Sequence, residues 1–67
     1  MTARQLAEVC GKITMNLVMG GVPMELAMLG VKAKLMECMA EHKDMEDAEA
    51  RHDVVAKELE AEFAFCL

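Results

Sequence analysis

Apolar positions recur along the first third of the chain at Ala3, Leu6, Cys10, Ile13, Leu17 and Gly20. Steps of three and four residues keep to one face of an α-helix, so this spacing predicts a helix over about 2–19. Thr2 stands where an N-cap is needed, and Gln5, three residues on, completes a capping box. Met15, Val18, Met19 and Val22 add a second apolar stripe. A helix that is apolar on two faces has two neighbours to contact.

The pattern then breaks at Gly20-Gly21-Val22-Pro23. Glycine supplies the left-handed backbone that ends helices, and Val22 is placed for the apolar contact of a Schellman cap. Pro23 suits the start of a new helix, where its missing N–H is not needed. Glu25, just inside that start, meets the positive end of the helix dipole. Residues 20–23 therefore read as a short turn between two helices.

Beyond the turn, Met24, Met28, Val31, Leu35, Cys38, His42, Met45, Glu49, His52, Ala56, Leu59, Phe63 and Cys66 alternate steps of four and three. A shifted register from Met45 through Ala48, His52, Val55 and Leu59 replaces the polar Glu49 and amounts to a stammer. Either way the pattern predicts one long helix over about 24–64. At 1.5 Å per residue such a helix would be ~60 Å long. A competing break lies in Glu41-His42-Lys43-Asp44-Met45-Glu46-Asp47, with Asp44 capping a third helix and Asp47 in its first turn. No glycine or proline marks that break, so the continuous helix is the expectation.

Composition turns this hairpin into an expected assembly. The chain has 67 residues, of which 55% are hydrophobic. Chains this short bury only ~60% of their unfolded surface, so a lone hairpin leaves apolar faces open. The fold class expected is all-α, a helical hairpin of short and long helix that self-associates into a bundle. Its oligomer interface would be the main seam: Leu6, Ile13, Leu17, Met28, Val31, Leu35, His42, Met45, His52, Leu59 and Phe63.

Charge narrows the partners. Residues 1–36 carry net +2 and residues 37–62 carry −7, for −5 overall. The acidic second half repels phosphate backbones, and the stretch Lys32 to Asp44 lacks Arg, Asn and Gln for reading base edges. Nucleic acid is not an expected partner. Ile13 to Val31 is a nineteen-residue run with Glu25 as its single charge, but Gly-Gly and Pro cut it into pieces too short to span a bilayer. A membrane-active hairpin is therefore the alternative reading, and a structural assembly subunit a second alternative.

Candidate chemistry is sparse. There is no serine, and Thr2 and Thr14 are the only hydroxyls. No glycine-rich phosphate loop is present, and Cys38 is followed by carboxylates that disfavour a thiolate. An enzyme and a cofactor are not expected. Cys38, His42 and Glu46 recur every four residues and are zinc-competent donors, but no CxxC or HExxH accompanies them, so no metal is assigned. The three cysteines cannot all pair within one chain and no secretory leader is recognised, so a reducing, cytoplasmic setting is expected.

Eight methionines remain, seven of them between Met15 and Met45. Methionine repacks around varied partners. Met15, Val18, Met19, Met36 and Met39 are thus expected to bind another protein, beside the seam that binds a second copy. The functional expectation is a small, non-enzymatic regulator or inhibitor that occupies a partner protein's surface.

Overall fold

The computed structural model describes all 67 residues as three helices with no strand. Helix α1 spans Ala3–Met19, α2 spans Met24–Glu41 and α3 spans Ala48–Glu62, followed by a single 3₁₀ turn at Ala64–Cys66. Each long helix packs against both others, and the C-terminal turn folds onto α1 and α3.

Local chemistry sets each boundary. The Thr2 hydroxyl accepts from the Gln5 N–H at 3.1 Å, and the Gln5 carboxamide oxygen accepts from the Thr2 N–H at 2.8 Å. This reciprocal box satisfies two donors that a helix start leaves free. At the other end of α1, the Val22 N–H reaches the Leu17 carbonyl and the Gly21 N–H the Val18 carbonyl, each at 3.0 Å. These are the two bonds of a Schellman motif. Gly21 takes φ +105°, where a β-carbon would be strained. Pro23 then caps α2 without a side-chain bond.

The long helix expected over about 24–64 does not form. Helix α2 stops at Glu41, with the His42 N–H bonded to the Cys38 carbonyl at 3.3 Å. Helix α3 begins after Asp47, whose Oδ1 accepts from the Glu49 and Ala50 N–H groups at 3.0 and 3.2 Å. The cap is therefore Asp47 and not Asp44, which lies in the connection. The Arg51 guanidinium braces that connection by donating to the Met45 carbonyl at 3.0 Å.

The reason for the fold-back is burial. A continuous helix would hold Val55, Ala56 and Leu59 out in water on a ~60 Å arm. In the structure the longest dimension is 38 Å and these three residues are fully enclosed. Each enclosed Val or Leu contributes about 1.5–3 kcal/mol, well above the about 1 kcal/mol of a helix cap. The core comprises nine residues, three from each helix: Leu6, Ile13 and Leu17; Ala27, Val31 and Cys38; Val55, Ala56 and Leu59. No polar or charged residue is buried with them. The hairpin is thus a three-helix bundle.

Candidate functional site: the outward face of helix α2

Helix α2 turns Ala27, Val31 and Cys38 into the core. On its opposite side, Leu26, Leu29, Ala33, Met36 and Ala40 follow one another at steps of three, four, three and four. All five are exposed, and Leu26, Leu29 and Met36 each keep about 60% of their surface: 60%, 62% and 61%. Two apolar stripes on one helix mean that folding of the chain satisfies only one of them. The outer stripe is rimmed by Glu25 and Lys32 on one side and Glu37 on the other. Glu25, Met28 and Leu29 line a shallow open pocket at its N-terminal end. Met19 and Met24, both exposed, extend the apolar surface around the turn.

The sequence-derived interface is largely used up inside the chain. Leu6, Ile13, Leu17, Val31 and Leu59 belong to the core of the single chain. The third helix provides the neighbour that a second chain was expected to provide. Leu35 and Phe63 are half-buried against that core. Met45 is half-buried in the α2–α3 connection, and only Met28 of the eleven lies openly exposed. Of the residues expected to bind a partner, Met15, Met19 and Met36 are exposed, whereas Val18 and Met39 pack against the core. Leu26, Leu29, Ala33 and Ala40 are not among the residues to which the sequence pattern points. Their signal was present as a second three–four alternation, offset from the seam that begins at Met24.

The two histidines also find partners within the chain. His42 Nε2 lies 2.6 Å from Glu58 Oε1, and His52 Nδ1 lies 3.0 Å from the Met1 carbonyl oxygen. The hydrogen bond from His42 first, and the neighbouring Cys38 thiol second, hold the Glu58 carboxyl below the usual carboxylate range. Burial, reinforced by the Glu58 carboxylate, pushes the Cys38 thiol up to about 11. A protonated thiol only 1% exposed is a poor nucleophile and a closed-off one. Lys34 completes the cluster, 3.5 Å from Glu37 and 3.8 Å from Glu62. Desolvation works against its charge, but these carboxylates outweigh it and raise its pKa.

Glu46 does not join Cys38 and His42, because it stands in the α2–α3 connection. Instead Glu41, His42 and Glu58 bring one ligand atom each within 4.8 Å of one another and could hold a divalent ion. Within the fold, the hydrogen bond between His42 and Glu58 ties the end of α2 to α3. No helix is long and apolar enough to cross a membrane. Comparison with known protein families, curated proteins and solved structures returned no match.

Proposed function

We propose that this chain is a non-catalytic protein-binding regulator that works by laying the outward face of α2 on a helical surface of another protein. One observation carries the reading. Leu26, Leu29, Ala33, Met36 and Ala40 form a five-position helical seam that the chain's own fold leaves open. Seams of this spacing meet an apolar stripe on another helix, which supplies the missing burial. Met36 and the nearby Met28 and Met24 adapt to the shape of what they meet.

Electrostatics favours a basic rim on the partner. The chain carries −5 overall, so a basic partner is drawn to it and associates faster at low salt. Three free thiols fit a reducing, cytoplasmic setting for this encounter.

The test is capture of binding partners by the tagged intact chain, compared with Leu29→Glu and Met36→Glu. Both side chains point away from the core, so circular dichroism should show unchanged helicity. The expected result is loss of the same captured protein by both variants. Equal capture by both, with helicity intact, would remove this face from the function.

A further inference from the structure

We infer that the outward face of α2 pairs with the same face of a second copy, the two α2 helices running parallel and in register. This rests on the reading that the face is the chain's working surface, and it names the first occupant. Three observations select it.

The first is spacing. With Leu26, Ala33 and Ala40 as one set of seam positions and Leu29 and Met36 as the other, the stripe covers two full heptads. It is ~22 Å long at 1.5 Å per residue. Parallel, in-register pairing stacks all five layers on their own counterparts, and the two alanines allow close approach of the helices. The second is placement. The stripe lies opposite the core face of α2, so α1 and α3 stand behind it and leave a second copy room to approach.

The third is charge, and it decides the direction. In a parallel pair, the residue flanking one seam faces the residue five positions later on the other helix. Lys32 then meets Glu37 of the second copy, and two-fold symmetry repeats the pair. The preceding pair joins Glu25 to Gly30, which is electrically neutral. Antiparallel pairing has two registers that overlap the seam well. One sets Lys32 against Lys32 of the second copy; the other sets Glu37 against Glu37. Like charges meet in both, and opposite charges meet in the parallel arrangement alone.

A regulatory consequence follows from the shared face. The dimer hides the surface offered to a heterologous partner, so that partner must displace one copy. Its apparent affinity falls as the concentration of this chain rises.

The experiment is sedimentation of the intact chain over a micromolar dilution series, with charge reversals at the seam. The expected mass is twice 7.4 kDa at the concentrated end. Met36→Glu should sediment as a monomer with unchanged helicity. Lys32→Glu and Glu37→Lys should each weaken association about tenfold, and the double reversal should restore most of it. Lys32→Glu that leaves association unchanged, or a double reversal no better than the singles, would overturn the parallel register. A monomer at every concentration would overturn the inference while leaving heterologous capture to be judged by Met36→Glu. A dimer through this face whose partner capture is indifferent to Met36→Glu supports the inference and overturns the broader functional reading.

Discussion

The inner and outer faces of α2 are built from the same kinds of residue at the same spacing, yet they do opposite things. The inner face presents Ala27, Val31 and Cys38, each no more than 3% exposed, to α1 and α3. The outer face presents Leu26, Leu29, Ala33, Met36 and Ala40 to solvent. Hydrophobicity alone therefore does not say which face is the core. What separates them is the set of charges along each border. Lys34 and His42, on the inner borders, are half-buried and reach carboxylates of α3, Lys34 by an ion pair to Glu62 and His42 by a hydrogen bond to Glu58. Glu25 and Lys32, beside the outer stripe, make no such link within the chain.

The sharpest way to break the comparison is to put one charge on each face. Val31→Asp should unfold the chain, because a carboxylate there loses its solvation without a partner, a cost of several kcal/mol that a domain this small does not hold in reserve. Leu29→Asp should leave the monomer's helicity intact. Far-ultraviolet circular dichroism checks both, and equal loss of helicity would mean that the two faces are equivalent in folding.

A milder change probes the helix that makes one face inner. Leu59→Ala opens a cavity where α3 meets the other helices and should cost about 2–5 kcal/mol, read from urea unfolding. Met36→Ala should stay within about 0.5 kcal/mol in a monomeric background. Removing the cap of α3 is smaller still. Asp47→Ala leaves two N–H groups unbonded and should cost about 1 kcal/mol, whereas Asp44→Ala should be close to neutral. The reverse order would return the cap to Asp44.

The smallest effects concern the cluster on the inner border. The folded pKa of Glu58 is depressed, so its stabilisation is present above the unfolded value of 4.5 and is lost as pH falls through the folded one. Its charged and titratable neighbours are His42, Cys38 and Lys34. Glu58→Gln should flatten the acid side of a melting-temperature profile below pH 4.5. The folded pKa of Cys38 is raised, so its stabilisation is complete below 9.0 and disappears as pH rises towards about 11. Thiol labelling at neutral pH should accordingly reach the half-buried Cys66 before Cys38, and simultaneous labelling would show that the inner face opens.

Much of this architecture was legible in the residues. The Thr2–Gln5 box and the seam through Leu6, Ile13 and Leu17 follow from helical spacing and simple capping chemistry. Helix α3 was harder to see. Its heptads continue those of α2 without a glycine or proline, and local pattern cannot weigh an arm in water against Val55 and Leu59 in a core. The shifted register through Val55 and Leu59 was the clue, since both residues are fully enclosed. Legibility of the candidate site was poorer. Met36 stands out in the sequence, whereas Leu26, Leu29, Ala33 and Ala40 are masked by the stronger seam on the same helix. The hydrogen bond between His42 and Glu58 spans sixteen residues and depends on the fold-back.

The two connections, residues 20–23 and 42–47, join helices that are neighbours in sequence. Closing such short loops takes well under a microsecond, and bundles dominated by local contacts fold in microseconds to milliseconds. For the pairing inferred above, each chain would thus reach its native shape long before it met a second one. Assembly would then be the slow step, set by collision frequency. A refolding trace should separate accordingly, into a fast phase indifferent to protein concentration and a later one that quickens with it.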